Sequence, residues 1–152
     1  LGLFNTPWIT NLKEFDLNKE NTAALLRRYP RLFGNPEKPG EVRMRWGFEC
    51  GDGWFRLLHD LSSAIEEEAF RQGLDPDSAS WPKASQVKEK FGTLRFYMGV
   101  QRGEMGNLID QAAERSEHTC ETCGLEGELR TEGWYHVACD PCEEKHRSGG
   151  RL

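Results

Sequence analysis

Cys120-Glu121-Thr122-Cys123-Gly124 and Cys139-Asp140-Pro141-Cys142 are two Cys-x-x-Cys pairs with fifteen residues between them. A two-residue gap lets both sulfurs of one pair reach a single ion, and zinc takes four such donors at the corners of a tetrahedron. Fifteen residues between pairs falls in the range expected of these sites. The spacing therefore predicts a structural Zn2+ held by Cys120, Cys123, Cys139 and Cys142. Two disulfides or four free thiols are the competing readings, and His118, His136 or His146 could replace one cysteine. Four thiolates close the shell and leave no position for water, which argues against a catalytic zinc.

The residues between the pairs fit this reading. Gly124 can adopt the positive φ that a metal knuckle requires. Leu129-Arg130, then Thr131-Glu132-Gly133, then Trp134-Tyr135-His136-Val137 suggest a hairpin, and Glu143-Glu144-Lys145-His146 could open a helix. Knuckle, hairpin and helix start is a treble-clef-like order, with a plain zinc ribbon as the alternative shape. Leu125, Leu129, Trp134, Tyr135 and Val137 are nearly all the large apolar residues of this segment. That is too little for a core, so the metal must supply folding free energy, on the order of 10 kcal/mol.

Working back toward the amino terminus, Met105, Leu108, Ile109, Ala112 and Ala113 describe an amphipathic helix that runs into the cysteines. Thr93-Leu94-Arg95-Phe96-Tyr97-Met98 and Val87-Lys88-Glu89-Lys90-Phe91 read as a strand pair or one bent strand, with Gly92 at a turn or bulge. Trp54, Leu57, Leu58, Leu61, Ile65 and Ala69 follow helical spacing up to Gly73, and Asp52 is placed to cap that helix. Val42, Met44, Trp46 and Phe48 alternate with Arg43, Arg45 and Gly47 as in a half-buried strand. Asn18 to Tyr29 reads as a short helix capped by Asn18 and stopped by Pro30. The expected architecture is α+β: a small antiparallel sheet packed by helices in residues 1–117, a four-cysteine zinc module over 118–147, and a flexible tail over 148–152.

Outside the cysteines the most unusual run is Trp46-Gly47-Phe48-Glu49-Cys50-Gly51-Asp52-Gly53-Trp54. Glycines admit a ligand to the backbone and tryptophan offers a stacking face, so Trp46, Glu49, Asp52 and Trp54 could line a ligand or partner pocket. The plainer reading puts the aromatics in the core. Cys50 as a nucleophile would need a base, and His59 is the nearest in sequence. Glu49, Asp52 and Asp60 could hold a divalent ion, although their spacing matches no metal loop. Lys88, Lys90 and Arg95 could form a basic edge beside Phe96 or Tyr97, and Arg27, Arg28, Arg31, Lys38, Arg43 and Arg45 fall close together.

The net charge of −5 argues against a protein built mainly for general nucleic-acid binding, where lysine and arginine dominate affinity. Five cysteines, an odd number, argue against a fully disulfide-bonded secreted scaffold and for a reducing, cytoplasmic setting. No apolar run approaches the roughly 20 residues of a membrane span. Leu1-Gly2-Leu3-Phe4 has neither the basic region nor the cleavage site of a signal peptide.

Three features together, the Trp46–Trp54 run, the run from Val87 to Tyr97 and the paired cysteines, resemble a family of small uncharacterised proteins encoded by bacteriophages and prophages. The resemblance covers roughly residues 28–142 and carries over no functional residue. It implies a setting, the host bacterial cytoplasm, where small phage accessory proteins act on host pathways or immunity. The leading expectation is thus a zinc-stabilised, non-enzymatic binding protein that engages a host protein, such as a defence or regulatory factor. The alternatives are a DNA- or RNA-binding module, and a nucleotide-sequestering protein or enzyme using the Trp46–Trp54 region.

Overall fold

The computed structural model describes residues 16–35, 37–38, 44 and 47–149. Helix α1 (Lys19–Arg28) starts where expected: the Asn18 carboxamide accepts from the Asn21 N–H at 2.8 Å and satisfies one of the free first-turn donors. Pro30 ends α1 but also opens a second short helix, α2 (Pro30–Phe33), because its fixed φ and missing N–H suit the first helical position.

The predicted strand around Val42–Phe48 is described only at its end, as β1 (Phe48–Glu49); Val42, Arg43, Arg45 and Trp46 lie outside the described residues. A single 3-10 turn (Asp52–Trp54) leads into α3 (Phe55–Arg71), which buries Leu57, Leu58, Leu61, Ile65 and Ala69. Each leucine or isoleucine taken out of water there contributes roughly 1.5–3 kcal/mol. Asp52 does not cap α3. Its carboxylate turns toward α1 and accepts from the Asn18 backbone N–H at 2.8 Å and from the side chains of Asn18 and Asn21. Asp52 thus pins the start of α1 to the start of α3.

Strands β2 (Ala84–Lys90) and β3 (Thr93–Met98) form a hairpin, with Val87 opposite Phe96 and Lys88 opposite Arg95. The connecting pair Phe91-Gly92 has φ of +54° and +80°. A two-residue hairpin turn of this kind needs positive φ at both positions, because only then does its twist match the strands. The sheet is α+β as expected but mixed rather than antiparallel. β1 lies parallel beside β2, pairing Phe48 with Val87 and Glu49 with Lys88. The intervening α3 is the crossover that parallel neighbours require.

The core lies on one face of this sheet. Phe48, Val87, Leu94 and Phe96 meet Leu25, Leu32 and Phe33 from α1 and α2, Leu58 and Ile65 from α3, and Met105 and Ala112 from α4 (Met105–Ser116). Phe33 meets Phe48 and Phe96 edge to face, at centroid distances of 5.0 and 6.1 Å. Buried Ser116 at the end of α4 accepts from the Leu94 N–H at 2.9 Å, so the helix satisfies a backbone donor of β3. The chain then runs through β4 (Glu128–Arg130) and β5 (His136–Ala138), an antiparallel pair, to α5 (Asp140–Ser148). Of the predicted tail, Ser148 is the last helical residue, and 150–152 lie outside the described residues. Among the described residues no helix is long and apolar enough to cross a membrane.

Candidate metal centre

As α4 runs out, the chain folds into a knuckle. The Cys120 N–H donates to the Leu125 carbonyl at 2.7 Å and the Gly124 N–H donates back to the Cys120 carbonyl at 2.9 Å. Gly124, at φ +82°, makes the reversal possible. Sixteen residues beyond Cys123, Cys139 caps α5 in extended conformation. Cys142 lies in the first turn of that helix, behind Pro141. Knuckle, hairpin and helix start therefore stand in treble-clef order.

The four sulfurs lie within 4.8 Å of one another. Cys123 and Cys139 have their sulfurs 3.7 Å apart, far beyond the S–S bond of about 2.05 Å. A tetrahedral ion with metal–sulfur bonds of about 2.3 Å needs neighbouring sulfurs about 3.8 Å apart. Electrostatics point the same way. Burial works to raise the Cys120 thiol, but backbone N–H groups of Cys123, Cys139 and Thr122 outweigh it and bring it down to about 7. Burial, then the sulfurs of Cys139, Cys123 and Cys120, push the Cys142 thiol up. The Cys120 thiolate forms readily while Cys142 resists following, a conflict that a bound cation resolves. The arrangement is a four-cysteine cluster with the geometry of a metal site.

Neither His136 nor His146 is turned to the sulfurs. Buried His136 places Nε2 2.6 Å from the Glu143 carboxylate and Nδ1 2.7 Å from the Trp134 carbonyl. Arg147 donates to the other Glu143 oxygen at 3.0 Å. This chain ties β5 to α5 and so fixes the helix that carries Cys142 relative to the hairpin. His146 meets the Thr122 hydroxyl at 3.1 Å, and His118 is exposed.

The glycines of the Trp46–Trp54 run do admit a close neighbour, and that neighbour is the knuckle. A Cβ on Gly51 would collide with the Glu121 carbonyl, and one on Gly53 with the Cys120 carbonyl. The Gly53 N–H donates to the Glu121 carbonyl at 2.8 Å, and the Gly51 N–H to the Glu121 carboxylate at 2.9 Å. Burial raises that carboxyl to about 7. Trp54 is fully buried, and its indole N–H donates to the Thr119 carbonyl at 2.9 Å. Trp54 is therefore core and the Gly51–Trp54 segment is filled by the chain itself, while Trp46 lies outside the described residues.

Of the remaining predicted constellations, the set of Lys88, Lys90 and Arg95 is brought together and the others are not. Cys50 is buried in the core, and burial raises its thiol well above the ordinary value, which disfavours a nucleophile. His59 instead packs against Tyr29 and Phe55. Glu49 accepts from Gln86, Asp52 faces Asn18, and Asp60 pairs with Arg56 and Arg115, so these three carboxylates hold no common ion. Among the described residues only the cysteines converge as a metal-ligating group. Of the amino-terminal basic residues, Arg31 pairs with Asp77, and Arg43 and Arg45 lie outside the described residues. Lys88, Lys90 and Arg95 do share a sheet face with exposed Tyr97, whereas Phe96 is buried.

Fold and site together define an α+β body carrying a four-cysteine cluster, suited to a metal ion, in a module of treble-clef order. The chain matches no family model, no curated protein and no solved structure, so this class rests on the geometry.

Proposed function

We propose that the chain is a zinc-stabilised, non-enzymatic binding protein whose metal braces a recognition surface. Four thiolates and no open position suit structural Zn2+ and give the ion no chemistry on a substrate. The observation that carries this reading is the contrast between the two sides of the module. Its knuckle is hydrogen-bonded into the body at Gly51, Gly53 and Trp54, while Trp134 remains 64% exposed, with Leu125, Leu129 and Tyr135 also exposed. Large aromatics held out on a rigid frame are the residues that dominate protein–protein binding energy. The resemblance to phage-encoded proteins makes a host protein of the bacterial cytoplasm, a defence or regulatory factor, the partner class.

The test is affinity capture from bacterial lysate with the zinc-loaded chain and with a Trp134→Ala/Tyr135→Ala variant of equal zinc content. The proposal predicts a host protein retained by the first and released by the second. Identical background profiles from both would overturn it.

A further inference from the structure

The sheet face turned away from the core carries a second, differently built surface. On β2 and β3 the residues alternating with Val87, Leu94 and Phe96 include Lys88, Lys90, Arg95 and Tyr97. Lys88 and Arg95 stand directly opposite each other across the hairpin. Like charges at paired positions destabilise a sheet, and among the described residues neither forms an ion pair. The carboxylate in this row, Glu49 beside Lys88, is engaged by Gln86. Tyr97 is 45% exposed. At the turn, Phe91 is 66% exposed although its φ of +54° is one that glycine or asparagine adopts far more readily. Lys90 Nζ lies 5.9 Å from the Phe91 ring, which joins the cationic face to the turn. The opposed cations are a feature that folding alone does not favour. Phe91, on a left-handed backbone, keeps most of its ring exposed although one edge meets Tyr135 at a centroid distance of 6.3 Å.

We propose that this face, built from Lys88, Lys90, Arg95, Tyr97 and Phe91, binds single-stranded nucleic acid. Spaced cations follow a phosphate backbone, and exposed aromatic rings stack unpaired bases of any sequence. A duplex hides the faces of its bases, so these rings would gain nothing from it. The surface adjoins the exposed aromatics of the metal module at one point, where the Phe91 ring meets Tyr135 edge to face. Its cations and Tyr97 lie on β2 and β3 and do not depend on the protein partner proposed above.

The experiment is fluorescence anisotropy of the full zinc-loaded chain with a labelled single strand of about 20 nucleotides. The same sequence as duplex and a polyglutamate peptide serve as competitors. With three phosphate contacts, affinity falls about 20-fold between roughly 50 and 200 mM salt. Lys88→Gln and Arg95→Gln each flatten that salt dependence by about a third. Tyr97→Ala weakens binding by roughly tenfold with less change in salt slope. Circular dichroism and zinc content establish that each variant is folded. Absence of binding at low salt, variants equal to wild type, equal affinity for duplex, or displacement by polyglutamate at lower concentration than by the single strand would each overturn the proposal.

Discussion

Gly51 and Gly53 sit against the carbonyls of Glu121 and Cys120, where even a methyl group meets backbone that cannot rotate aside. Gly53→Ala should cost about 1–3 kcal/mol, as overpacking does elsewhere, read as a lower urea midpoint with an unchanged slope. Glu68 offers a second test on a single side chain. Buried on α3, it accepts from Arg71, from Gln72 and from the Glu104 backbone N–H. The Arg71 hydrogen bond, then those from Glu104 and Gln72, hold its carboxyl down at about 2, against an ordinary 4.5. A depressed folded-state value means stability fully present above 4.5 and lost as the pH falls toward 2. Glu68→Gln should therefore remove part of the acid-limb slope in urea titrations across that window. The convergence of the four cysteines was legible because each pair's spacing is local and the chemistry it suits is demanding. The partner of Gly51 was not, because Glu121 lies 70 residues away and no local pattern links them.

Among the elements, helices α3 and α4 were legible from apolar periodicity, since each has one face buried against the core. The sheet was harder. β1 is two residues long among the described residues, and its parallel pairing depends on where α3 delivers the chain, which alternation in sequence does not encode. The β2–β3 turn was half legible: Gly92 announced a reversal, but Phe91 at positive φ reads as an ordinary strand residue. A non-glycine residue in the left-handed region costs on the order of 1 kcal/mol, less for asparagine. Phe91→Asn relieves that cost but gives up the edge contact with Tyr135, so the net change in denaturant titrations should stay within about 1 kcal/mol. The same change should weaken single-strand binding, because it removes a stacking ring. At Gly92, φ +80°, a side chain would be strained by the backbone and would have to push aside the end of the Leu129 side chain of β4, so replacement there should destabilise the hairpin.

For the whole molecule, the metal module and the body share hydrogen bonds at Gly51, Gly53 and Trp54. Loss of the ion should therefore be felt beyond the tail. Chelation is expected to shift the fluorescence of buried Trp54 together with melting of α5 in far-ultraviolet circular dichroism, in one transition. In a Trp134→Phe background, which removes the module's own indole, a module hung on a loose linker would melt first and leave the tryptophan signal unchanged. The same coupling explains why the Trp46–Trp54 run invites a pocket reading: its glycines are open to a neighbour, and the neighbour is the chain's own knuckle. The most direct test of the metal claim is elemental analysis of the purified chain combined with a thiol count, on the wild type and on Cys142→Ser. About one zinc per chain, with the ion lost or much more weakly held in the variant, is the predicted result. A wild-type protein with no stoichiometric transition metal, or with Cys120, Cys123, Cys139 and Cys142 oxidised to disulfides, would contradict it.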